Sequence, residues 1–409
     1  MSNSVNEIMI PPNTKRGKLH NQDRLSDLSD CVLLHILSYL NTKHAVQTCI
    51  LSPRWKYLWK STPTLILHSY CFSTKKRFAT FVSKVLTFRD TSTALHALDL
   101  ERIGTIEPQL VKKILKFVSS NNTHIQQLSI NVVADRYPIL NCVSSCRALT
   151  SLKLHIKHKS RDGLPETLFP KSLNLPALTN LDLTNFTFCA GDNAECADPF
   201  TTFNSLNSLT ISDCCPRYPT TLSISNATLV NLTMRYNYGC NIKYIKLSTP
   251  SINTFSIYRS AYPKLCGSGL SSVKRVIIDV DVMPYRFEIL LNWLQDLANV
   301  KSLTVGLTAL KLLSFVPNLF KVKLHSLCNL KSLKVKVSGR DVISAIATIP
   351  VGTVDFLLQN SPTAEVNLID HWTHIILWNF LRFKKDTSSK KDTVEKSQPN
   401  TDSPPQDRL

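Results

Sequence analysis

The sequence predicts an α/β protein: a small helical head, then an irregular solenoid with a parallel β-sheet on its concave face. Three observations carry that reading. Within residues 23 to 60, apolar side chains recur at i, i+3, i+4 and i+7, the spacing of one helix face. From residue 95 the spacing changes to apolar triplets of the form L-x-x-L-x-L, ten of them in succession. The 409-residue length suits two or three domains or one elongated array.

The head is expected to form three short helices. Ser29 stands as the N-cap of the first, with Asp30 in its first turn, where an acid suits the helix dipole. Leu33, Ile36, Leu37 and Leu40 make its apolar stripe. Asn41-Thr42 ends that helix and caps a second, in which Ala45, Val46, Cys49 and Ile50 repeat the spacing. Ser52-Pro53 opens a third, with Trp55, Leu58 and Trp59 on one side; proline is tolerated there because no donor is needed. Roughly forty residues lie near the limit for a lone stable core, so the surplus apolar surface is expected to meet a partner.

Read in order, the run contains DRLSDL, HILSYL, TKHAVQT and LSPRWKYLW. It resembles the F-box of plant F-box/leucine-rich-repeat proteins over the whole motif. Ser29 departs from the family, which usually has proline there, and Pro53 stands where proline is rare. Both fit helix starts, so the fold is expected to survive, with weaker partner contact at Ser29. The resemblance implies a Skp-type adaptor as partner. Leu28, Leu33, Ile36, Leu37, Leu40, Trp55, Leu58 and Trp59 are the residues expected to make that contact or the helix packing that shapes it.

Residues 61 to 94 read as a junction, with a short strand at Leu65-Ile66-Leu67 and a helix through Phe78, Phe81, Val82 and Val85. The triplets occupy 95 to 326 and run on to Leu330/Leu333/Val335; their middle residues are 21 to 30 apart, around the leucine-rich-repeat period. One repeat cannot bury its apolar side alone, so stacking must supply the core. The asparagine or cysteine expected three places after a triplet occurs only at Cys214 and Asn237, which predicts a ragged array. Residues 327 to 369 resemble the FBD-type region of plant F-box proteins; Val354, Leu357 and Leu358 are expected to form a helix capping the array. The remainder, 370 to 409, is a tail that turns polar, charged and proline-bearing from about 383; from there on, and over residues 1 to 22, disorder is expected.

Composition excludes several functions. The first residues hold no apolar signal region, so secretion is not expected. No apolar run approaches the ~18 residues that span a bilayer, so no membrane partner is expected. The twelve cysteines then read as reduced thiols, and the chain is expected in the nucleus, the cytoplasm or both. No phosphate-cradling loop, dinucleotide fingerprint or zinc-protease helix is present, and ten glycines leave little material for one. Cys142/Cys146 and Cys214-Cys215 lack histidines at zinc-finger spacing, so neither a metal nor another cofactor is expected. No catalytic residue is assigned.

The net charge of +19 raises nucleic acid as a partner. Its distribution argues otherwise. The outward positions of the ten triplets hold Lys153, Arg235, Arg275, Lys334 and Lys336 against Asp99, Glu101, Asp182 and Asp279, so this face carries +1 of the total. The excess lies on loops and the convex side, where a solvated surface is the default, an acidic protein second and nucleic acid third. Along the face, the early end is acidic and the late end basic, so a target's acidic portion is expected toward the late repeats. Lys153, His155, Asp182, Arg235, Tyr258, Arg275, Lys334 and Lys336 are the expected target-binding residues. The family resemblance implies a non-catalytic substrate-recognition subunit of a Skp–cullin–F-box ubiquitin ligase, reaching cullin through the adaptor. The competing reading is a basic scaffold for nucleic acid or an anionic ligand, with no ligase.

Overall fold

The structure is a computed structural model. It describes residues 25, 27–157, 167–170, 173–190, 196–217, 220–236, 242–259, 263–280, 287–337 and 349–370. The segments expected to be disordered, 1 to 22 and the tail from about 383, lie outside these.

The head contains α1 (Asp30–Ser38) and α2 (Thr42–Gln47), followed by 3-10 turns at Thr48–Ile50, Pro53–Lys56 and Leu58–Ser61. The expected third α-helix is thus two tight turns, interrupted at Tyr57, whose φ of −120° breaks the helical run. Segments of four residues cannot complete an α-helical ladder of their own. Ser29 sits at the N-cap position, but its hydroxyl lies 2.9 Å from Cys31 Sγ and makes no cap bond. Asn41 does cap α2, its Oδ1 accepting from the Lys43 amide at 3.0 Å.

Leu33, Leu37, Ala45 and Trp55 form a small sealed core, with Leu28, Leu40, Leu58 and Trp59 packed around it. Only Ala45 of the expected second stripe is buried, and Ile50 is 85% exposed.

Behind the head, β1 (Thr64–His68), α3 (Lys75–Phe88), β2 (Ala97–Thr105), α4 (Pro108–Ser119), β3 (Gln127–Val133), α5 (Arg136–Ser145) and β4 (Ser151–Lys157) follow. Next come β5 (Thr167–Leu168), β6 (Asn180–Thr184), β7 (Phe186–Phe188), β8 (Ser208–Ser212), β9 (Cys215–Pro216) and β10 (Thr221–Ser225). Then follow β11 (Asn231–Tyr236), β12 (Tyr244–Ser248), β13 (Thr254–Arg259), β14 (Lys264–Cys266), β15 (Arg275–Asp279) and α6 (Phe287–Asp296). The described chain closes with β16 (Ser302–Gly306), α7 (Leu307–Ser314), β17 (Ser332–Val337), α8 (Thr353–Leu358) and β18 (Glu365–Asp370).

Among the described residues, twelve strands make one parallel sheet in the order β1-β2-β3-β4-β6-β8-β11-β13-β15-β16-β17-β18. The middle residues of the ten triplets lie opposite one another from Leu98 to Leu333 without a slip. Leu65 and Val366 extend that line at either end, so the strand in the expected junction and a strand in the FBD-like region join the same sheet. The segment after Leu330 therefore continues the sheet through β18, with α8 lying beside α7 rather than ending the array. A one-residue slip would turn every leucine outward, which is why burial pins the register.

Behind the sheet, the connections differ with their length. Steps of 21 and 23 residues return through the extended strands β10, β12 and β14, while most longer steps carry helices. A strand covers about 3.3 Å per residue against 1.5 Å for a helix, so an extended return suits the shortest steps. The 24-residue step from Leu128 to Leu152 already holds α5. One contiguous apolar core runs from Leu65 to Ala364. The head is fastened to the first strand: Thr42 Oγ1 accepts from the Ile66 amide at 2.9 Å, and Lys43 Nζ donates to the Cys71 carbonyl at 2.7 Å. These bonds satisfy a group on β1's open edge, which would otherwise invite another strand.

Candidate functional site

Two surfaces hold the residues singled out in the sequence. In the head, Leu33, Leu37 and Trp55 are buried, and Leu28, Leu40, Leu58 and Trp59 are half-buried around them. Ile36 alone of the expected adaptor residues is exposed, at 36%. The others pack in or around the head's core. A second apolar stripe on α1 was missed: Val32 and Tyr39 flank Ile36 at i−4 and i+3, exposed at 41% and 73%. Its signal was present in the sequence, because α1 is apolar on two sides and one small core can cover only one. Ile50, Leu51 and Tyr57 are also exposed on the head, with Lys56 and Lys60 ammonium groups 5.3 and 4.9 Å from the Tyr57 ring. Arg54 joins Asp30 at 2.8 Å, an exposed pair that holds the Pro53–Lys56 turn near the start of α1 and contributes little to stability.

The second surface is the open face of the sheet. Strand alternation puts every residue next to a triplet's middle member there, and Lys153, His155, Asp182, Arg235, Tyr258, Arg275, Lys334 and Lys336 all lie on it. Register brings Arg235, Tyr258 and Asp279 side by side on β11, β13 and β15. Lys336, opposite Gly306, reaches the same group from β17. Gly306 has no side chain to block that crossing, and Lys336 Nζ meets Asp279 Oδ2 at 2.6 Å. A Cβ at Gly306 would stand 2.7 Å from Asp279 Oδ1. The Tyr258 ring is flanked by two cations, the Arg235 guanidinium at 5.1 Å and Lys336 Nζ at 5.7 Å. Such cation–ring contacts stabilise by about 0.5–1 kcal/mol each when exposed.

Toward the early repeats, Lys153 Nζ lies 3.9 Å from Asp182 Oδ2. Burial pushes the Asp182 carboxyl above its usual range, with Lys153 and Arg235 pulling it back. His155 is held neutral: burial and then Lys157 push it down to about 4, against a smaller opposite pull from Asp213. Asn185 Nδ2 donates to its Nε2 at 3.0 Å, which needs an unprotonated ring nitrogen. At the acidic end, His68 Nε2 lies 2.9 Å from Asp99 Oδ2 and His68 Nδ1 2.9 Å from the Tyr70 hydroxyl. His68 joins this face only because β1 is part of the sheet. Arg275 and Lys334 point outward without joining the Tyr258 group. The arrangement offers charge and hydrogen bonds to a bound surface.

Cys142 on α5 and Cys146 at its C-cap lie four residues apart, both buried. Hydrogen bonding with Cys146 pulls the Cys142 thiol below the usual thiol range against the opposing effect of burial, while Cys146 is pushed up.

A model of the F-box domain matches residues 25–67. Similar curated proteins come from Arabidopsis thaliana. An FBD-associated F-box protein is 25% identical over 377 residues, covering 86% of this chain and 75% of the relative. An F-box/LRR-repeat protein is 26% identical over 348 residues, covering 83% and 75%. An F-box/FBD/LRR-repeat protein is 28% identical over 245 residues, covering 59% and 50%.

Proposed function

Since the chain is an F-box/leucine-rich-repeat protein of the plant FBD-associated kind, we propose that it is the substrate-recognition subunit of a Skp–cullin–F-box ubiquitin ligase. The head docks a Skp-type adaptor, and through it cullin. The stacked strands form the wall of a solenoid that holds a target protein on its concave, open face. The chain catalyses nothing; it raises the effective concentration of a target lysine near a charged conjugating enzyme. It works in the nucleus or cytoplasm.

The observation that carries the adaptor half is α1's second stripe. Val32, Ile36 and Tyr39 stay in solvent while Leu33 and Leu37 of the same helix are sealed. Exposed apolar side chains grouped on one helix face mark interaction sites. The target half is supported by the Arg235–Tyr258–Lys336 group and by Lys334, which make the late repeats a place for an acidic stretch of target.

The test is co-purification of the intact chain with a Skp-type adaptor. The double variant Val32→Asp/Ile36→Asp should lose the adaptor by at least tenfold while its circular dichroism stays that of the wild type. Retention of the adaptor by a folded double variant would refute the docking face.

A further inference from the structure

We propose that the groove between α4 and α5, behind the sheet, docks an acidic amphipathic helix of a partner protein. It lies away from the open face assigned to the target, and nothing in the ligase reading requires it.

The shape comes first. On α4, Val111 and Leu115 form the floor of the groove and Lys112 and Lys116 one wall; Pro138, Asn141 and Ser145 of α5 form the other wall. Val111 and Leu115 keep 8% and 7% exposure, whereas Ile114 and Val118 of the same helix keep 1% and 0%. The first pair therefore meets the groove and the second the sheet. Ser119 Oγ and Cys142 Sγ, 3.4 Å apart, tie the two helices together near the end of α4. The groove measures about 810 Å³, and its rims are exposed. The twelve residues of α4 give it a length of about 18 Å. A trough of this length with an apolar floor suits helix-in-groove recognition. A small ligand here would keep its upper side in water, whereas small-molecule pockets bury most of what they hold.

Charge selects the helix. Over residues 75–88 and 107–119, α3 and α4 carry the exposed cations Lys75, Lys76, Arg77, Lys84, Lys112, Lys113 and Lys116 against one acid, Glu107. None of these cations forms an ion pair with a described residue. Local helix chemistry disfavours the arrangement. Lys75, Lys76 and Arg77 occupy the first turn of α3, at the positive end of its dipole. Lys112 and Lys116 are a like-charge i, i+4 pair, which destabilises a helix. Natural sequences break local rules of this kind mainly at functional sites, and carboxylates laid along the α4 wall offset the repulsion. Asp135 also lines the groove, at its entry, where it is occupied as the cap of α5 and accepts from the Tyr137 amide at 3.2 Å. The partner helix thus sets apolar side chains on Val111 and Leu115 and acids against Lys112 and Lys116. A flat lipid surface would rest on the rims and leave that floor uncovered. Nucleic acid would find no aromatic ring on the floor to stack on.

The probe is a fluorescein-labelled peptide of about 20 residues, long enough to be helical, with leucine at i, i+3, i+4 and i+7 and glutamate between. Fluorescence anisotropy with the full chain should show saturable binding. The same peptide with glutamine for glutamate, or with its order scrambled, should bind at least tenfold more weakly. Lys112→Glu/Lys116→Glu should lose the glutamate peptide at least tenfold while its circular dichroism stays that of the wild type. Asn141→Trp, which keeps the charge and fills the groove, should lose it as well. Absent binding, or equal binding by either variant or of the scrambled peptide, overturns the groove. Phosphatidylserine vesicles or a DNA duplex that displace the peptide and depend on Lys112 and Lys116 overturn the partner class.

Discussion

Arg89 closes α3 at its C-terminal end, where a cation suits the helix dipole. Yet it is 4% exposed and none of its guanidinium nitrogens has an acceptor among the described residues. Burial pushes it down to about 10, with Asp90 opposing. A base whose folded pKa is lowered is penalised while it is charged, so the penalty is present at neutral pH. It fades as pH rises through 10 toward the ordinary arginine value. Arg89→Met should therefore raise stability at pH 7 by about 1–3 kcal/mol in urea unfolding; a loss of stability would refute this. His155 supplies the opposite window. Neutral in the fold down to about 4, it takes up its proton in the unfolded chain below about 6.5. Stability is thus lost as pH falls from 6.5 to 4. At pH 5 this amounts to about 1–2 kcal/mol, which His155→Gln should abolish. Neither arginine's nor histidine's environment was legible in the sequence, because each is made by groups from other turns of the chain.

At the scale of elements, α1 and β16 show how one residue sets what a strand or helix can do. Leu33 and Leu37 serve the head's own core, separate from the larger core behind the sheet. Leu37→Asp should unfold the head and lose the adaptor, yet leave most far-ultraviolet strand signal intact; full unfolding would show that the cores are not independent. Gly306 at the end of β16 has an ordinary φ of −68°, so its value lies in the space it leaves. Gly306→Val should preserve the fold and part Lys336 from Asp279. The coupling of that pair in a double-mutant cycle, about 0.5–1.5 kcal/mol in wild type, should then fall to zero. The helical spacing of the head and the triplets' spacing were readable in sequence. The third helix expected from Ser52-Pro53 is instead two 3-10 turns, because Tyr57 interrupts the run, and spacing alone does not show that break.

Across the whole molecule, the open face runs from Asp99, already met by His68, to Lys334 and Lys336. Reversing Lys334 and Lys336 to Glu should weaken target capture at least tenfold in a pull-down while adaptor binding stays unchanged; unchanged capture would remove the late repeats from the target site. The sequence by itself determined the helical head, the phase of ten strands and the residues they turn outward, because periodicity is local and burial admits only one register. Only the tertiary structure decided which side of α1 remains in solvent, and that β1 and β18 belong to the same sheet. It alone brought Lys336 to Asp279, 57 residues earlier, and left Arg102 buried at the end of β2. Those outcomes depend on which distant segments stack against one another, and a pattern along the chain records a side chain's apolarity but not the neighbour that will cover it.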